Sequence, residues 1–281
     1  MTTISQFKFN INIQENSKIP RYSGRIVQGA FLQYLRILDP SLSIDLHEGN
    51  PMRTYVTSNI YRRRNEESNL MYFDVYTIDP RIIDILVKIM VGGEGTQIYL
   101  IDKMYNISHI DFTVHDISSK ELLPIRTNVL VKFITPTLFA NSKRNNNLDA
   151  FPVQKRMWAN MITSYKYIVA PINEEEEIEL IQRLEDQLSI TDFKIENRRI
   201  RLGNNIHLNG VTGYINYFIE NNEGLELLRS ILSLANHWGI GGKRSMGMGR
   251  VHISFRYPKV KKPNEVDLIK KLDNIDTVLM N

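Results

Sequence analysis

This sequence predicts an α+β protein in which one order of elements, β-α-β-β-α-β, is used twice. Three observations carry that expectation. Apolar residues alternate with polar ones near the start, they recur at three- and four-residue steps soon after, and the same succession returns beyond residue 124. No residue-level repeat accompanies the return, so the duplication rests on element order alone.

In the first half, Phe7, Phe9, Ile11 and Ile13 alternate with Lys8, Asn10 and Asn12, the pattern of a strand with one buried face. Ile26, Ala30, Phe31, Tyr34, Leu35 and Leu38 then mark a helix over 23–38. Asp39-Pro40 ends it, because proline disfavours α geometry in the residue before it. An irregular stretch with His47, Gly49 and Pro51 follows. Residues 54–61 and 70–77 read as strands around a polar, basic hairpin loop. Pro80 opens a helix through Val91, and 97–101 with 107–114 supplies the closing strand. A boundary near Leu123-Pro124 divides the chain into domains 1–123 and 124–281. Beyond it, 125–135 is a strand, 153–169 and 174–188 are helical, 190–202 and 206–219 are strands, 225–237 is a helix and 250–257 is the last strand. A short amphipathic helix is expected after Pro263. Each half thus has the ferredoxin-like order.

Composition bounds the chemistry. The 281 residues suffice for two domains of roughly 140 each. The apolar run 82–91 is interrupted by Asp84 and Lys88 and is too short to cross a bilayer, and no secretion signal opens the chain, so a cytoplasmic protein without membrane partners is expected. The absence of cysteine excludes disulfides, thiolate catalysis and cysteine-based zinc sites. Thirty-five basic against thirty-one acidic residues give a net charge of +4, and the distribution is more telling than the sum. Base is clustered in Arg62-Arg63-Arg64, Lys143-Arg144, Arg198-Arg199-Arg201, Lys243-Arg244 and Lys259, Lys261 and Lys262, while acid is clustered in Glu174–Glu177. Separated basic clusters fit a polyanion partner, although any one of them taken singly is ordinary solvated surface.

The densest signal is the segment from Gly239 to Arg250, which holds Gly239, Gly241, Gly242, Gly247 and Gly249 beside Lys243, Arg244, Ser245 and Arg250. Glycine lets another backbone, or a phosphate, approach the N–H groups of such a loop. Neither GxxxxGK[ST] nor GxGxxG fits, since Arg244 stands at the deciding position of both, and the order here is helix, loop, strand. Two readings stay open: a tight connection, or a loop that grips polyanions. Among the histidines, His109, His115, His207 and His252 lie in or beside strands without ligand-like spacing, and His237 sits where it could cap a helix end.

The glycine loop with its Lys243-Arg244 resembles the signature of the RAMP superfamily of CRISPR-associated proteins. Gln28-Gly29, Asp39-Pro40, Leu46-His47-Glu48 with Pro51, and Phe133-Ile134-Thr135-Pro136-Thr137 with Phe151-Pro152 are more specifically similar to the member that cuts CRISPR repeat RNA, the sixth Cas protein family. The resemblance implies two ferredoxin-like domains and an endoribonuclease that works without metal or cofactor. In it a 2′-hydroxyl attacks the adjacent phosphorus, leaving a 2′,3′-cyclic phosphate and a 5′-hydroxyl. It implies His47 as the proton-transfer group, since an imidazole titrates near working pH, and Arg53 as a cation where the family often carries lysine. The family's catalytic tyrosine is replaced by Leu32; Tyr34 is about 200° away around the helix, with Tyr22 and Tyr55 as other candidates. RNA contacts are expected from the glycine loop and from Arg198, Arg199 and Arg201. The implied partner is CRISPR repeat RNA, with other effector subunits possible, in a monomer or homodimer; a non-catalytic subunit that holds guide RNA is the rival function.

Overall fold

In the computed structural model, which describes residues 2–12, 19–20, 22–48, 53–62, 70–93, 97–101, 103–117, 122–140, 148–149, 152–201 and 207–258, the alternating run becomes strand β1 (Thr3–Asn12). Its Phe7, Phe9 and Ile11 are shut from solvent. Helix α1 (Gly24–Leu38) lays Val27, Phe31 and Leu35 into the same core, and the Phe9 ring meets Phe31 and Tyr34 edge-on.

The stretch expected to be irregular after Asp39-Pro40 is instead a second helix, α2 (Pro40–Glu48). Proline at a first helical position loses no hydrogen bond, because that N–H has no partner within a helix. The Asp39 carboxylate accepts from the Leu42 N–H at 2.9 Å and the Ser41 hydroxyl at 2.7 Å, which caps the new helix and lowers the carboxyl pKa. One dipeptide therefore closes a helix and opens the next, and His47 rides on the second.

Strands β2 (Tyr55–Thr57), β3 (Tyr61–Arg62) and β4 (Leu70–Thr77) lead to helix α3 (Pro80–Gly92), whose N-terminus is capped by Asp79, and then to the hairpin β5 (Gln97–Leu100) and β6 (Lys103–Asp116). The sheet runs β2-β4-β1-β6-β5, with β3 also paired to β4. The second half holds β7 (Asn128–Thr137), a ribbon of β8 (Phe139–Ala140) and β9 (Leu148–Asp149), helices α4 (Gln154–Ile168) and α5 (Glu174–Gln187), the hairpin β10 (Leu188–Arg201) and β11 (His207–Ile219), α6 (Leu228–Trp238) and β12 (Val251–Arg256). Its main sheet runs β10-β11-β7-β12. In both sheets the first strand of the half lies centrally between the third and last strands of the β-α-β-β-α-β order, the ferredoxin-like arrangement.

One core lies between the first sheet and α1, α2 and α3; a second surrounds Trp158, Tyr217 and Trp238. Ile4, Val56 and Tyr76 of the first half belong to the second cluster, so the halves share apolar packing at their seam. Among the described residues no helix is long and apolar enough to cross a membrane. The helix expected after Pro263, the hairpin arginines Arg63 and Arg64, and the clusters at Lys143-Arg144 and Lys259–Lys262 lie outside the described residues.

Candidate functional site

The glycine loop leaves α6 at Gly239 and returns to β12 after Arg250. A Cβ on Gly249, whose φ is +70°, would stand 1.9 Å from the Ile240 carbonyl oxygen, and one on Gly241 would stand 2.3 Å from that of Leu138. The loop's amides are spent inside the protein: Gly241 N–H donates to Asn160 Oδ1 at 2.6 Å, Gly242 N–H to the Leu138 carbonyl at 2.8 Å and Gly249 N–H to that of Pro136 at 3.1 Å. A short 3₁₀ turn, Arg244–Met246, pushes into the first half. There Gln28 Nε2 donates to Ser245 Oγ at 3.0 Å, the Thr57 hydroxyl to the Ser245 carbonyl at 2.8 Å and the Tyr22 hydroxyl to the Met246 carbonyl. Gly24 has no room for a side chain either, since its Cβ would fall 1.9 Å from the Met246 oxygen and 2.8 Å from the Gly247 Cα. The loop is thus a clasp between the halves.

Of the twelve loop residues, Lys243 alone is fully presented to solvent. The Arg244 guanidinium donates to Ser164 Oγ at 2.6 Å, and burial draws its pKa down to about 10. Arg250 donates to the His237 carbonyl at 2.9 Å and the Tyr76 hydroxyl at 3.1 Å, with its guanidinium 4.5 Å above the Tyr76 ring. Arg198, Arg199 and Arg201 are exposed on β10, where Arg198 pairs with Glu196, while Ile200 between them packs in one cluster with Met248 of the loop.

The second feature is a cleft between α1 and α2. Ser43 Oγ donates to the Leu32 carbonyl at 2.9 Å and pins the helices together. Leu32, Gln33 and Arg36 line one wall, and Ser43, Ile44 and His47 the other, each set spaced so as to share one helix face. His47 is exposed in the last turn of α2. Arg53 Nη2 donates to the His47 carbonyl at 3.0 Å, setting a cation against the helix C-terminus, where the last carbonyls lack partners. Its Nη1 is buried without a bonded partner among the described residues.

The structure therefore brings His47 and Arg53 together but turns Tyr34 away. Tyr34 is 4% exposed and packed on Phe9, and burial pushes its pKa up to about 12. Tyr55 is wholly buried, and Tyr22 is engaged in the clasp, so none of the three candidate tyrosines lines the cleft. Clasp and cleft are nevertheless neighbours, since Gln28 and Leu32 stand one turn apart on α1. Sequence reasoning missed Gln33 and Arg36; the available signal was their place on the helix, one and four residues beyond Leu32 and so within about 100° of it.

A third polar group lies at the seam. The rings of His115 and His237 stack with centroids 4.0 Å apart, and His115 Nε2 is 2.7 Å from Gln6 Oε1. Burial, then the His115 ring and the Arg250 charge, lowers the His237 pKa to about 4; burial and Arg250 lower that of His115 as well. At His237 the carbonyl, and not the ring, carries the link to Arg250.

Two ferredoxin-like halves clasped by a glycine loop define the architecture, and it has counterparts among known proteins. Residues 131–251, from β7 to the start of β12, match the family model described as CRISPR-associated endoribonuclease Cas6. Solved structures share the fold. A Thermus thermophilus Cas6 is 19% identical with a TM-score of 0.68, covering 90% of this chain and 99% of its own, and a product complex of the same protein gives 20% identity and 0.73 over 90% and 100%. A protein from a Cas6-related gene of Pyrococcus furiosus is 16% identical with a TM-score of 0.55 over 90% and 98%. No curated protein matches by sequence. The family model matches the second half, and the fold over nine-tenths of the chain is that of these solved Cas6 structures.

Proposed function

We propose that this protein cuts CRISPR repeat RNA at a single site, with the 2′-hydroxyl beside the scissile bond attacking phosphorus and the 5′-oxygen leaving. The family model and the product complex of the similar Thermus thermophilus protein support RNA processing as the activity. His47 takes or gives the proton, because an exposed imidazole ring carries both a donor and an acceptor nitrogen. Arg53 braces the turn that carries His47 and adds positive charge beneath it. No metal takes part in the proposed chemistry. Residues 1–123 and 124–281 are its two domains; Lys243 and the exposed Arg198, Arg199 and Arg201 contact RNA, and the loop glycines act by letting the clasp close.

The observation that carries this reading is the exposed His47 in a cleft whose opposite wall, α1, is the helix that the glycine loop grips. The test is incubation of the protein with its own repeat RNA in excess EDTA. One cut with a 5′-hydroxyl product supports the enzyme; loss of cutting in EDTA, restored by added divalent metal, removes the metal-free mechanism.

One observation favours the rival, a subunit that holds guide RNA without cutting it: the packing of Tyr22, Tyr34 and Tyr55 leaves none of them beside His47. Tight binding of repeat RNA with no product under any condition would select that function.

A further inference from the structure

Gly29 stands in the middle of α1, yet the protein itself does not need a glycine there. A Cβ at this position would meet nothing within 4 Å, and its φ is ordinary for a helix. Glycine in an exposed helix interior weakens the helix relative to alanine. The other turns of α1 have clear employment, with Val27, Phe31 and Leu35 in the core and Gln28 in the clasp. Gly29 is exposed, and at helical spacing beyond it Gln33 and Arg36 are exposed too, forming one stripe about 10 Å long from Gly29 to Arg36. The stripe begins beside the residue that binds Ser245 and ends in the cleft with His47.

Arg36 differs from the other cation at this site. Arg53 is committed to the His47 carbonyl, whereas Arg36 has no carboxylate or other bonded partner among the described residues. Its guanidinium is free to take two oxygens of one phosphate at once. Leu32 and Ile44 add apolar walls to the same cleft, suited to the flank of a ribose or base.

We propose that Gly29, Gln33 and Arg36 form a lane on which the RNA backbone lies, bare at Gly29 so that the sugar-phosphate chain can touch the helix, and that Arg36 is the catalytic cation holding the phosphate presented to His47. The proposal rests on the endoribonuclease reading and assigns the charge stabilisation of that reaction to a residue of α1.

The test compares Gly29→Ala, Arg36→Ala and Arg36→Lys with the parent and with His47→Ala on one repeat RNA, recording melting temperature, Kd and single-turnover rate at saturating protein. Gly29→Ala raises the melting temperature while weakening RNA binding, a pair of opposite effects that a purely structural residue would not give. Arg36→Ala lowers the rate by roughly 10²–10³ with the melting temperature unchanged, and Arg36→Lys recovers part of the loss. Parent-like binding in Gly29→Ala overturns the lane, and a parent-like rate in Arg36→Ala overturns the catalytic role. If those results come with His47→Ala inactive, the proposal falls alone and the enzyme stands. If the parent binds but never cuts, the role of Arg36 falls with the endoribonuclease reading, and the binding of Gly29→Ala decides the lane.

Discussion

The glycine loop and the His47–Arg53 neighbourhood were both expected from the sequence to meet RNA, yet the structure uses them differently. In the loop, amides and arginines are bonded to the protein's own groups, and Lys243 alone faces solvent. In the cleft, His47 and Arg36 are exposed. Glycine density measures how closely another backbone approaches, and says nothing about whose backbone it is. Here the approach is by the other half of the same chain.

The largest expected effect separates the two regions by chemistry. His47→Ala should lower the single-turnover cleavage rate by roughly 10²–10⁴ with little change in RNA affinity. A parent-like rate would move the chemistry out of the cleft. Next comes Gly249→Ala in the clasp, which forces a Cβ onto the Ile240 carbonyl at positive φ and should cost about 3 kcal/mol or more of stability in urea denaturation. Unchanged stability would return the loop to the surface.

The seam histidines give a pH test. Their folded pKa values lie below the ordinary value of 6.5, so the unfolded chain binds more protons between that value and the His237 pKa of about 4. Their contribution to stability is therefore complete above pH 6.5 and is lost as pH falls toward 4. Melts at pH 7 and pH 4.5 should show a smaller pH-driven loss in His237→Gln than in the parent; an equal loss would mean that other groups govern acid stability. The smallest effect belongs to Lys243→Ala, which should reduce the salt dependence of RNA binding by about one phosphate contact while leaving the melting temperature alone. Arg244→Ala, by contrast, should lower the melting temperature, because its guanidinium is held at Ser164.

Much of the fold was legible because its signals are local. Alternation marked β1, and apolar spacing along the helix marked α1 and α6, with ends displaced by only a few residues. Helix α2 was missed because Asp39-Pro40 reads equally well as a stop and as a start, and among its described side chains only Leu42, Ser43 and Leu46 are buried. At the site, the inward turn of Tyr34 followed from its angle relative to Leu32. The orientation of the glycine loop did not, since the contacts that fix it join Ser245 and Met246 to Gln28, Thr57 and Tyr22, far away in sequence. Arg36 went unnoticed because a single arginine in a last helical turn is ordinary complement to the helix dipole.

The contact between Gly24 and Gly247 reaches beyond this fold to its history. Each is small because the other's chain passes where a methyl group would be. Recombination that exchanged one half of the chain for a foreign counterpart would have to bring in a matching pair of bare positions, so the two ends of this sequence are constrained to be inherited together.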